Sequence, residues 1–132
     1  MSTFEEKLSI LAEMIAFARA DNVISDSEYY FLLSVSEQLG VDKETFESLF
    51  ETPVKKIMPK TQAERILQFH RLVLLMNVDK QHNSEVTNLH NIGLGMGLPP
   101  AAIDQVLSIM HQYPNKIVPP DVLIDIFKAH YN

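Results

Sequence analysis

Two stretches of this chain share one register. Glu28 and Glu85 stand 57 residues apart, and so do Gly40 and Gly97, the glycines that close the two stretches. In the first copy an apolar run ends in Ala20-Asp21 and is followed by Ser25-Asp26-Ser27-Glu28 and a second run to Leu39-Gly40. In the second copy a run ends in Val78-Asp79 and is followed by Asn83-Ser84-Glu85 and a run to Met96-Gly97. Asp21 and Asp79 are 58 apart, so the second connecting loop is one residue shorter. Self-similarity of this kind predicts two related helical hairpins, neither of which buries its apolar face alone.

The runs themselves have helical spacing. Phe4, Leu8, Leu11, Ile15 and Ala18 recur at three- and four-residue intervals, with Met14 and Phe17 widening the stripe, which predicts an amphipathic helix over about 3–20. Asp21-Asn22 ends it, Asn being tolerant of a left-handed exit. Ser25 with Glu28 three residues on is a capping-box pattern, so a second helix starts there, carries Phe31, Leu32, Val35 and Leu39, and stops at Gly40. Asp42 caps a short third helix with Phe46, Leu49 and Phe50, and Thr52-Pro53 stops it. The prolines and lysines of 52–60 read as a joint between a first half, 3–51, and a second half, 61–112.

Thr61-Gln62-Ala63-Glu64 repeats the capping pattern and opens a long helix through Ile66, Phe69, Val73 and Met76. A fifth helix runs from about Asn83 to Leu94, where Gly93, Gly95 and Gly97 permit close helix approach or early unwinding. Pro99-Pro100 starts a sixth helix burying Ile103, Val106, Leu107 and Met110, and Pro119-Pro120 starts a last one over 119–131, with Val122, Ile126 and Phe127 or Leu123 inward. No apolar alternation bounded by turns makes a strand. The expected fold is all-α, a compact single domain of about seven helices.

Composition then narrows function. The absence of cysteine excludes disulfides, thiolate metal sites and cysteine nucleophiles. A net charge of −6, with Lys55, Lys56 and Lys60 the only basic cluster, argues against a nucleic-acid partner. Glu13, Arg19 and Asp21 in the first helix, and Arg65, His70 and Arg71 in the fourth, break any run long enough for membrane insertion. Glu5-Glu6 stands where a secretory signal would be basic, so the expected location is cytoplasmic.

With the hairpins drawn, the stretch Phe17-Ala18-Arg19-Ala20-Asp21-Asn22-Val23-Ile24-Ser25-Asp26-Ser27-Glu28, and more weakly Val78-Asp79 to Glu85, resembles the TerB family. This is the all-helical domain first associated with tellurite-resistance operons and related to a region of a DnaJ-type co-chaperone. The resemblance covers roughly 4–110. In that family a helix ends in Ala-Asp-Gly and an acidic residue opens the next helix, in each of two halves. Here Asn22 and Lys80 stand in place of the two glycines. The resemblance implies a stress-linked protein with divalent-metal binding through Asp21, Asp26, Glu28, Asp79 and Glu85.

Read from the residues alone, Asp21, Asp26 and Glu28 place three carboxylates around one loop, a donor set suited to a hard cation. The spacing is not that of an EF-hand, since the sixth position counted from Asp21 is Asp26 rather than glycine. The competing reading is structural: Glu28 completes the capping box, Asp26 favours the helix N-terminus, and Asp21 caps or pairs. The same alternatives hold for Asp79, His82 and Glu85, with Lys80 adding a positive charge. His70 lies at the margin of its helix's apolar stripe. His90 points away from Glu85, and His111 and His130 sit near helix ends.

There is no nucleophile elbow, and Gly93-Leu94-Gly95-Met96-Gly97 follows no strand, so it is not a dinucleotide loop. The expectation is a non-enzymatic, metal-responsive binding module. The alternatives are a protein-interaction or self-association module without metal and, more weakly, a metal-dependent enzyme using the same carboxylates. Met14, Met76, Met96 and Met110 read as core filler. Tyr29-Tyr30-Phe31 cannot all face one core, so at least one tyrosine reaches the surface as an anchor for a partner or a second copy.

Overall fold

The computed structural model describes residues 3–21, 23–78 and 83–130, with the side chains of 21 and 83–85 outside that description. It is all-α, with seven α-helices and no strand among the described residues. Two compact units divide within the proline- and lysine-rich joint, one over Met1–Pro59 and one over Lys60–Asn132.

The first unit holds α1 (Phe4–Ala18), α2 (Asp26–Leu39) and α3 (Lys43–Ser48). Each start has a side-chain cap. Thr3 and Ser25 head reciprocal capping boxes with Glu6 and Glu28, and the Asp42 carboxylate accepts the Thr45 N–H at 2.8 Å. The Thr3 box was not anticipated. Helix α1 ends at Ala18 and tightens into a 3₁₀ turn over Arg19–Asp21, while Asn22, the expected left-handed exit, lies outside the described residues. Leu11, Met14, Ile15, Leu32, Val35 and Phe46 are buried, but Phe4 is 57% exposed, because it opens the first turn of α1. Residues 53–59 run without helix, and the Ser9 hydroxyl ties them to α1: Ser9 Oγ accepts from the Ile57 N–H at 2.8 Å and donates to the Ile57 carbonyl at 3.3 Å.

The second unit holds α4 (Gln62–Val78), α5 (Asn83–Gly95), α6 (Pro100–Ile109) and α7 (Pro120–Ala129). Pro100 and Pro120 occupy first helical positions, where the missing N–H has no partner to lose. Phe69, Leu72, Leu75, Leu89, Ile103 and Phe127 are fully buried, and the Phe69 and Phe127 rings pack edge-on with centroids 5.9 Å apart. In α7 the inward residues are Leu123, Ile126 and Phe127, with Val122 half-buried. Leu107, expected in the core, is half-buried too. Two 3₁₀ turns, Met110–Gln112 and Pro114–Lys116, lead to α7.

The repeat is visible in backbone geometry, and it extends to the third helix. Helices α1 and α4 start 58 residues apart, whereas α2 and α5, and then α3 and α6, start 57 apart. Gly40 and Gly97 both adopt the left-handed conformation, with φ of 77° and 79°. Each donates to a carbonyl three residues back, Glu37 or Leu94. The next N–H, from Val41 or Leu98, reaches the carbonyl of Ser36 or Gly93 at 3.0 or 3.1 Å. This is one Schellman-type exit made twice, sealed in each case by a buried apolar residue, Val41 and Leu98. Ser36 and Gly93, the matching residues one turn earlier, are both small and buried.

Candidate functional site

The first acidic loop is built by the cap of α2. The Ser25 N–H donates to Glu28 Oε1 at 3.0 Å, and the Glu28 N–H donates to Ser25 Oγ at 3.1 Å. This reciprocity draws Glu28 inward to 3% exposure, whereas Asp26, in the first turn of the same helix, is exposed. Asp26 borders an open hollow of about 460 Å³ together with Arg19, Ile24, Tyr29 and Phe50. Arg19 is the residue that sequence reasoning passed over, since it was given no site role there. Its guanidinium donates to the Phe50 carbonyl at 2.6 Å and lies 5.2 Å from the Phe50 ring centroid. The hollow beside Asp26 thus already has a fixed cation on its wall.

Asp79, Lys80 and His82 lie outside the described residues, as do the side chains of Asp21 and Glu85. Among the described residues no three or more His, Asp or Glu side chains gather as a metal-holding group. Asp26 and Glu28 share the first turn of α2, one outward and one bound into the cap.

A second feature grows from the same helix. Tyr29, Tyr30, Phe46 and Phe50 form a chain of rings. Tyr29 lies 5.6 Å from Tyr30, 5.7 Å from Phe46 and 6.1 Å from Phe50, and Phe46 meets Phe50 edge-on at 5.3 Å. Phe46 closes the inner end in the core, Tyr29 and Phe50 are half-buried, and Tyr30 is 66% exposed. Beside the half-buried pair runs an open groove of about 480 Å³ whose other walls are Glu44, Glu47, Ser48 and Glu51. The three glutamates are exposed and recur at three- and four-residue spacing along α3 and the turn after it.

The histidines have separate roles. His70 is buried on α4, and its Nε2 lies 3.1 Å from the Val118 carbonyl, which makes that nitrogen the protonated donor of the neutral ring. Burial pushes the imidazole below its ordinary range, the Val118 hydrogen bond opposes that shift, and neighbouring Arg71 adds to it. His90 meets Asp104 of α6 at 3.0 Å, a pairing with no signature in the sequence. His130, at the end of α7, reaches Gln105 at 3.1 Å. Hydrogen bonds from Thr45, the side chain's contribution ahead of the backbone's, hold the Asp42 carboxyl below the usual carboxylate range. Both shifts follow from helix capping and core burial, and neither belongs to a converging acid and base.

No helix among the described residues is long and apolar enough to cross a membrane. Comparison with protein-family models, with curated proteins and with solved structures finds no match.

Proposed function

We propose that this chain is a non-enzymatic, cytoplasmic binding module of the TerB-like kind, linked to stress, and that it docks a basic segment of a partner protein on the aromatic face of α2 and α3. The observation that supports the docking reading is Tyr30, a large ring two-thirds exposed and steadied edge-on by Tyr29. Rigid aromatic anchors of this kind dominate binding energy at interfaces because they bury much area at little entropic cost. Glu44, Glu47 and Glu51 give the adjoining groove a negative rim, and the whole chain carries −6, so a partner bearing Arg or Lys is the complementary one. Arg19 over Phe50 is an example within the chain of the contact such a partner would make.

The test is fluorescence anisotropy with short Arg-rich peptides and length-matched Glu-rich ones. Saturable binding of the Arg-rich set is expected, weakened about five- to thirtyfold by Tyr30→Ala and weakened further at high salt. Equal binding of both sets, or no effect of Tyr30→Ala, would count against the docking face.

The metal-responsive form of the same reading takes Asp21, Asp26, Glu28, Asp79 and Glu85 as ligands of a divalent cation. Isothermal titration with calcium, magnesium, manganese and zinc tests it, using wild type against a folded Asp21→Asn, Glu28→Gln variant. Saturable heat that the variant loses would establish the first acidic loop as a ligand site.

A further inference from the structure

The second unit contains a cavity of about 250 Å³ between α4 and α7 that none of the roles above uses. Its walls are carbon: Ile66 and Leu67 from α4, Leu123 and Ile124 from α7, and Pro120 at the start of α7. Leu67 and Ile124 are 48% and 43% exposed, so the mouth is apolar as well as the floor. Polar groups are few, and none is acidic. His70 is neutral and already committed to the Val118 carbonyl, Gln62 is an uncharged amide, and Lys128 is the single cation. No carboxylate lines the cavity.

Size, polarity and charge together define a ligand. A cavity of about 150 Å³ holds benzene, and a water-sized group fills about 30 Å³, so 250 Å³ takes an apolar body of roughly eight carbons. A lone ammonium at the wall selects a single negative group at one end of that body.

The repeat argues against a peptide as occupant. Leu67 stands at the register position of Ser9, 58 residues earlier. In the first unit that position carries the hydroxyl that holds an extended backbone at Ile57. In the second unit the hydroxyl is replaced by an isobutyl group, which offers a backbone nothing and an alkyl chain a contact surface.

We propose that the α4–α7 cavity is a binding site for a small apolar monocarboxylate of the medium-chain fatty-acid class. The tail lies between Leu67 and Ile124, and the carboxylate meets the Lys128 ammonium. The inference is independent of the aromatic face of the first unit.

The test uses octanoate, octanol and acetate as probes, each titrated against the full chain and followed by amide chemical shifts. Octanoate is expected to saturate with shifts concentrated in α4 and α7, and acetate to leave those helices unmoved. Lys128→Gln, at an exposed position, is expected to weaken octanoate about two- to fivefold, the range of a partly solvated ion pair, while leaving octanol unchanged. Ala63→Phe, at an exposed wall position, is expected to abolish binding of both long probes with the helical circular dichroism intact. Absence of saturable octanoate binding by the wild type overturns the site. Equal affinity for octanol and octanoate, untouched by Lys128→Gln, overturns the carboxylate assignment.

Discussion

A methyl group added at Gly93 would lie 2.6 Å from Ile103 Cδ1 and 3.3 Å from Phe69 Cε1. Ile103 and Phe69 are fully buried, so relieving that overlap displaces packed atoms. Gly93→Ala is therefore expected to lower stability by about 1–3 kcal/mol, even though alanine is favoured over glycine within a helix by roughly 1 kcal/mol. Two residues on, a Cβ at Gly95 meets nothing within 4 Å, and Gly95→Ala is expected to raise stability by about 0.4–1 kcal/mol. Urea unfolding of the two variants checks the pair, and effects of the same sign would remove the close-approach explanation. His70 makes a pH-dependent contribution. Its folded imidazole titrates below its ordinary value, so beneath about pH 6.5 the unfolded chain takes up a proton that the folded chain refuses. The associated stability is complete above that pH and declines as pH falls toward the lowered folded value. His70→Gln, which keeps a donor for Val118, is expected to flatten the dependence of the urea midpoint between about pH 7 and 5. The lowered Asp42 carboxyl acts in a separate window, with stability present above about 3.8 and lost as pH falls below it.

At the scale of elements, the starts of α1 to α4 are held by a side chain, those of α6 and α7 open on proline without one, and the exits at Gly40 and Gly97 are held by backbone. Ser25→Ala removes the acceptor of the Glu28 N–H and is expected to lower stability by about 1 kcal/mol, read from thermal or urea melts. A variant indistinguishable from wild type would mean that the box adds nothing beyond water. This asymmetry explains what was legible in the sequence. Ser25, Asp42 and Thr61 announced their helices because capping requires an oxygen at one position, and Gly40 announced an end because its left-handed φ favours glycine. The 3₁₀ turns at 19–21, 110–112 and 114–116 carry no such residue requirement and were invisible. Among the glycines of α5 and its exit, periodicity raised both close approach and unwinding without assigning either. The structure gives close approach to Gly93 and the left-handed exit to Gly97. The aromatic site was half legible, since three consecutive rings on one helix guarantee an outward one. Which ring it is depends on Phe46 of α3 and Phe50 in the turn after it. Arg19 over Phe50 and His90 beside Asp104 are pairings between different elements, and a single sequence does not encode their partners.

At the scale of the molecule, the repeat makes two units with matching registers and different endings. The third helix is 6 residues long in the first unit and 10 in the second, and only the second adds α7. Each unit has its own buried side chains, around Leu11 and Phe46 in one and around Phe69 and Ile103 in the other. Hydrogen exchange on the Gly93→Ala variant is accordingly expected to lose protection in α4 to α6 before α1 and α2; uniform loss along the chain would mean a single cooperative unit. The joint between the units has a practical consequence. Lys55, Lys56 and Lys60 are exposed, the first two within and the third just after a non-helical stretch held to α1 through Ile57. Trypsin is expected to cut there first, since exposed irregular segments are the preferred sites of nicking. A purified sample that resolves into two bands on a denaturing gel, of lengths near those of the two units, has been clipped once at the joint, and its two pieces are worth keeping.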